Sequence, residues 1–181
     1  MNVIGTLNLL LTYAFDFYIM IVIARFMLQL VRADFYNPLS QFVVKATKPV
    51  LNPLRRMIPG VGGIDWASVV LLVLLVVVKL GALLAINEGY FEPISFLIVT
   101  LKSGANSVLN FFLFTIFAGA ILSWVAQGYN PVVQVFHQVS EPVLRPFRRL
   151  LPPVSGMDFS PILALLLLQA LKTLFQLDGV P

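Results

Sequence analysis

One loop occurs twice in this chain, 93 residues apart and without a gap. Residues 37–65 read NPLSQFVVKATKPVLNPLRRMIPGVGGID and residues 130–158 read NPVVQVFHQVSEPVLRPFRRLLPPVSGMD. Thirteen of the 29 paired positions are identical, where composition alone would give roughly two or three. The identities include Asn37/Asn130, Gln41/Gln134, Pro49/Pro142, Pro53/Pro146, Arg55/Arg148, Arg56/Arg149, Pro59/Pro152, Gly63/Gly156 and Asp65/Asp158. The chain is a tandem duplication, so whatever one copy folds into, the other must be able to adopt.

Outside the loops, apolar residues gather into runs of bilayer-crossing length, about 20 residues each. They lie at about 8–31, interrupted by Asp16 and Arg25, at about 66–86, carrying Lys79, at about 106–126, and at about 159–177, carrying Lys172. Residues 93–102 read either as a short interfacial helix or as the start of a long third span. With 59% hydrophobic and 11% charged residues, the chain falls outside the range of soluble domains. The start lacks the basic region of a cleavable signal, so the first run is read as a retained span. The expected fold class is an all-α membrane protein with about four transmembrane helices in two parallel tandem repeats, 1–90 and 91–181. Each repeat is a span, a basic amphipathic loop (32–65 or 127–158) and a span.

Eight of the twelve Lys and Arg residues fall in the two loops: five in 32–65 and three in 127–158. By the positive-inside rule both loops are cytoplasmic and both termini periplasmic, in a bacterial inner membrane. Repeats of like orientation imply a pseudo-two-fold axis along the membrane normal. Basic residues beside spans point to anionic lipid headgroups rather than to direct nucleic-acid binding. The absence of cysteine excludes disulfides, thiolate metal sites, iron–sulfur clusters and cysteine nucleophiles. No nucleophile–base pair or paired carboxylate appears, and neither enzymatic activity nor a cofactor is expected.

Within each loop, Asn-Pro starts a helix, with Asn37 or Asn130 as N-cap. Leu39, Phe42, Val43 and Ala46 then form an apolar face against Gln41, Lys45 and Lys48. Val132, Val135, Phe136 and Val139 repeat it. The spacing predicts helices of about three turns, ended by Pro49 and Pro142 and lying in the headgroup layer. The proline-bracketed pairs Arg55-Arg56 and Arg148-Arg149 are candidate docking groups. Guanidinium pairs suit headgroup phosphates, an acidic protein partner or a phosphorylated ligand. Gly60 to Gly63 lacks the Lys-Ser/Thr of a phosphate loop and is read as a turn. Asp65 and Asp158 precede the second span of each copy, where a carboxylate caps a helix; cation coordination is the alternative.

Lys79 and Lys172 correspond at the 93-residue offset, and an intramembrane lysine suggests function by default. At 1.5 Å per residue, Lys79 and Asp16 reach similar depths and pair on paper. The register-matched position in the second copy is Leu109, with Asn110 beside it, and Arg25 is matched by Ala118. These charges serve either as packed, neutralised pairs or as an ion or proton path. His137, the single histidine, is read as an interfacial residue, having no second ligand matched to it.

The doubled Asn-Pro, the P-x-R-R-x-x-P segments and the following G-x-D resemble the YggT family of bacterial inner-membrane proteins over nearly the whole chain. The second copy completes the family's D-x-S-P as Asp158-Phe159-Ser160-Pro161, whereas the first reads Asp65-Trp66-Ala67-Ser68. The resemblance implies a link to osmotic stress and ion homeostasis. From plastid and cyanobacterial relatives it implies roles in cytochrome b6 maturation and in nucleoid or division-related organisation. It supplies no catalytic residue. The expectation is a non-enzymatic scaffold or assembly factor whose loops hold anionic lipid and a protein partner, with a second copy of the chain as a further candidate partner. The alternative is an ion or osmolyte conduit concerned with osmotic stress and potassium homeostasis.

Overall fold

The protein is described here by a computed structural model covering residues 3–90, 92–125, 128–150 and 158–177, the Trp124 side chain excepted. Pro152 and Gly156, motif residues of the second loop, lie outside the described residues.

Among the described residues six helices follow one another, α1 Val3–Leu30, α2 Pro38–Met57, α3 Trp66–Ile86, α4 Pro93–Val125, α5 Pro131–Leu150 and α6 Ser160–Leu174. The bounds of α2 and α5 correspond residue for residue at the 93-residue offset. Three helices, α1, α3 and α4, are long and apolar enough to cross a membrane, at roughly 42, 32 and 50 Å of axial length. The fourth apolar helix, α6, has 15 residues, roughly 22 Å, and is shorter than the expected run to 177. It ends where Gln176 adopts a left-handed φ of 52°, with Leu177 N–H donating to Lys172 C=O at 2.8 Å. Arg32 (φ 51°) and Glu88 (φ 50°) close α1 and α3 in the same way, a C-terminal motif that satisfies the last carbonyls. Residues 93–102 belong to α4 without interruption, so the third span is one long helix.

The amphipathic helices depart from expectation. Neither ends at its first proline: α2 runs through Pro49 and Pro53 to Met57, and α5 through Pro142 and Pro146 to Leu150. A proline removes one N–H and opens one turn. Here the two prolines stand four apart, so the carbonyls deprived of helical donors, those of Lys45 and Pro49 and of Gln138 and Pro142, share one side. All four prolines are exposed, and the cost falls where water can repair it. The inward face is also rotated from the apolar stripe read in the sequence. Ser40, Val43, Thr47 and Leu51 are buried in α2, and Val135, Val139, Ser140 and Leu144 in α5, while Phe42 is exposed. Small hydroxyl side chains let helices approach closely.

Helix α2 packs on the loop ends of α1 and α3. Leu51 joins a core with Val22, Ala67 and Leu71, and the Tyr18 hydroxyl donates to the Ala46 carbonyl at 3.4 Å. The second copy repeats this with Leu144, Ile116, Ala164 and Leu168. The two amphipathic helices meet where they start, and the buried Asn37 side chain donates to the Pro131 carbonyl. The spans are less symmetric. Helix α4 packs on both α1 and α3, whereas α6 touches only α4 and α5 among the described residues. Among the described residues, the contacts of α1 with α5 and of α3 with α4 have no counterparts between α4 and α2 or between α6 and α1.

Candidate functional site

Both halves of the candidate site are built on the loop end of the bundle. Asn37 caps α2 by accepting from Leu39 N–H at 2.9 Å, and Asn130 caps α5 through Val132 N–H at 2.9 Å, as the sequence implied. Each cap fixes where its helix begins and hence which way each arginine points four to five turns later.

The structure divides each Arg pair. Arg55 turns back to Asp65, its Nε 3.4 Å from Oδ1 and its Nη2 bonded to Oδ2, and also donates to Gln29 Oε1 at 3.2 Å. Arg148 does the same with Asp158, Nε to Oδ2 at 2.8 Å, and takes Glu141 as a second partner. The first arginine of each pair is thus a latch between the amphipathic helix and the start of the next span. Consecutive helical residues stand 100° apart, so the neighbours Arg56 and Arg149 face outward and are exposed. Lys45, Lys48 and Arg145 are exposed as well. Of the four candidate docking arginines, two are held in ion pairs and two are exposed.

This latch corrects the role expected of Asp65. Its side chain makes no capping bond to the α3 backbone; the carboxylate is occupied by Arg55 and by the Ser68 hydroxyl at 2.6 Å. Asp158 combines both roles, accepting from Ser160 N–H at 2.9 Å as well as from Arg148. Burial raises the pKa of Asp65, but hydrogen bonds from Arg55 and Ser68, with the Arg55 charge, outweigh it and hold the carboxyl below its ordinary value. Asp158 is lowered on the same balance, burial opposing and Ser160 and Arg148 prevailing. The signal for the latch was present in the sequence, since both partners recur ten residues apart in both copies. Gln29, Ser68 and Glu141 have no such signature and were not anticipated.

Farther into the spans, Lys79 Nζ donates to Asp16 Oδ1 at 2.6 Å, the pairing read from depth. The lysine side chain is 2% exposed and the aspartate 44%. In the second copy Lys172 Nζ donates to Asn110 Oδ1 at 2.9 Å, so an amide one residue beyond the matched position replaces the carboxylate. A third polar clasp, unforeseen, joins Asn8 and Asn87 at the other end of α1 and α3 through reciprocal amide bonds of 2.9 and 3.3 Å. Arg25 is buried beside Phe35, its guanidinium carbon 5.3 Å from the ring centroid. Exposed His137 joins no group of three or more His, Cys, Asp or Glu that could hold a metal among the described residues.

A latch, an exposed arginine and an intramembrane lysine clasp thus recur in both halves. A family model described as CCB3/YggT matches the chain in two stretches, residues 4–86 and 98–177. The chain belongs to the CCB3/YggT family. The two matched stretches correspond to the two copies read from the sequence, and the lysine clasp and latch lie within each. The chain is 52% identical over 161 residues to the uncharacterized protein PA0392 of Pseudomonas aeruginosa, covering 87% of this chain and 81% of that one. It is 44% identical over 167 residues to an uncharacterized protein from the proC 3′ region of Vibrio alginolyticus, covering 91% and 90%. It is 41% identical over 171 residues to the uncharacterized protein YggT of Escherichia coli K12, covering 93% and 88%. No solved structure matches. Family membership and apolar helices of spanning length together make this YggT-family chain a membrane protein.

Proposed function

We propose that this protein is a non-enzymatic scaffold or assembly factor of the bacterial inner membrane, whose twin loops dock anionic lipid and a membrane or cytoplasmic protein partner. In this reading α6 is the fourth span, residues 1–90 and 91–181 are parallel repeats, the loops face the cytoplasm and the termini the periplasm. The observation that carries it is the latch. In each copy one arginine is spent on fixing the loop, and its neighbour, Arg56 or Arg149, is left exposed at the same end of the molecule. Two exposed guanidinium groups, one from each loop, suit phosphates or acidic side chains of a partner.

A photo-crosslinking residue placed at 56 or 149 in native membranes is expected to give one discrete adduct, absent when the same residue replaces Tyr90 at the other end. Diffuse labelling from both ends would overturn the docking reading. A conduit role for osmotic or potassium homeostasis is favoured by one observation, the half-exposed Asp16 carboxylate at mid-span. Potassium and proton flux in proteoliposomes separates the two: flux lost in a Lys79→Leu, Lys172→Leu variant would make the protein a conduit.

A further inference from the structure

We propose that Arg25, with Lys45 and Gln41, forms an anion site for a phosphate group at the loop end of α1. The inference rests on the loop end lying at the membrane surface, but not on the exposed arginines that carry the docking reading. Arg25 stands five residues before the end of α1, roughly 7–8 Å along the axis, at the depth of lipid headgroups. It is 8% exposed and its Nη1 has no hydrogen-bond partner. No carboxylate forms an ion pair with it among the described residues. Asp65 is close enough to act on its charge, but Asp65 is held by Arg55, whose own positive charge also reaches Arg25. Phe35 offers its ring to the guanidinium face, which leaves the N–H edge for a ligand.

Burying a cation without a partner costs several kcal/mol, so an anion is the missing component. A shallow cavity of about 390 Å³ lies there, lined by Arg25, Phe35, Gln41, Val44 and Lys45. Its rim is held in place by Gln41 Nε2, which donates to the Tyr36 carbonyl at 3.2 Å. The guanidinium fork and the Lys45 ammonium together match a phosphate's oxygens. The second copy has Ala118 in place of Arg25 and Gln138 in place of Lys45, so the site is single and belongs to the first copy. Two sources share this chemistry, the headgroup of an anionic lipid and free inorganic phosphate.

The test uses the full chain in non-ionic detergent micelles. Dioleoyl-phosphatidylglycerol, dioleoyl-phosphatidylcholine and inorganic phosphate are titrated separately, with bound ligand counted by native mass spectrometry. Phosphatidylglycerol is expected to bind in preference to phosphatidylcholine, and Arg25→Gln or Lys45→Gln to weaken it by about tenfold to a hundredfold, the worth of a charge-assisted contact. Binding of inorganic phosphate that is weakened by the same variants, without preference between the lipids, assigns the site to the free ion. Equal binding by the native chain and both variants overturns the proposal. Should Arg25→Gln not fold, Lys45→Gln and Gln41→Ala, both altering exposed residues, decide alone, and native-like binding by both overturns it. Crosslinking at 56 and 149 reports on the docking reading by itself, so either idea can fail while the other stands.

Discussion

Replacing Asp16 by Leu while leaving Lys79 in place strands an ammonium group in the middle of the bundle. Asp16 is the hydrogen-bond partner of Lys79 among the described residues, at 2.6 Å, and the lysine side chain is 2% exposed. At that distance and an effective dielectric of about 20, the charges attract by roughly 6 kcal/mol. Most of this offsets the desolvation of the two charges, of which the lysine is the more deeply packed. The single change Asp16→Leu should therefore cost about 3–4 kcal/mol, as breaking a buried pair does. Lys79→Leu should cost less, about 1–2 kcal/mol, because the aspartate it leaves without a partner is less deeply packed in the bundle than the lysine. The double variant should lie within about 1 kcal/mol of the native protein, since replacing both members with apolar residues is often neutral. The resulting coupling is about 4–5 kcal/mol. Reversible unfolding in mixed micelles, titrated with sodium dodecyl sulfate, measures all four forms. Coupling below about 0.5 kcal/mol, the level of independent sites, or Lys79→Leu costing more than Asp16→Leu, would refute the reasoning.

The latches predict an acid limit. A carboxylate whose folded pKa is depressed stabilises fully above its unfolded value of about 3.9 and loses that contribution as pH falls through the lower folded value. Both Asp65 and Asp158 are of this kind, so melting temperature followed from pH 7 downward should drop below about pH 4. A smaller drop is expected in Asp65→Asn, Asp158→Asn. At neutral pH, Asp65→Asn should be the more damaging single change, since its side chain is 5% exposed against 32% for Asp158; chemical unfolding ranks them. Among the caps, Asn37→Ala should cost about 1–2 kcal/mol and exceed Asn130→Ala. Asn37 is buried and also binds the Pro131 carbonyl; equal losses on thermal unfolding would contradict this.

Much of the architecture was legible because it is written in local chemistry. The second span, 66–86, matches α3 residue for residue, since an uninterrupted aliphatic run leaves no competing reading. Asn-Pro located both amphipathic helices at their first residue, and depth counting paired Asp16 with Lys79. The misreadings share a cause, a local rule overridden by a neighbour distant in sequence. Pro49 ends a helix only when its freed carbonyl has nowhere to go, and here it faces outward. Asp65 spends its carboxylate on Arg55 and the Ser68 hydroxyl, whereas Asp158, equally claimed by an arginine, still accepts from a backbone N–H. Arg55 and Arg56 are indistinguishable as letters, and only the direction fixed by packing of Leu51 against Val22 and Ala67 separates latch from exposed group. Nothing in the spacing announced the Asn8–Asn87 clasp, because asparagine at a span end has no periodic signature.

The paired prolines of α2 and α5 carry a further consequence. Carbonyls without helical donors cannot sit in hydrocarbon, where each would cost several kcal/mol, so the proline-bearing side of each helix must stay where water reaches. The opposite side is committed to apolar contacts with Val22, Leu71, Ile116 and Leu168. Between these two requirements each helix has only a narrow range of heights. Because the prolines recur at matched positions, the same two requirements bear on both helices. A change such as Pro49→Ala would alter how deep the molecule rides before it altered how well it folds.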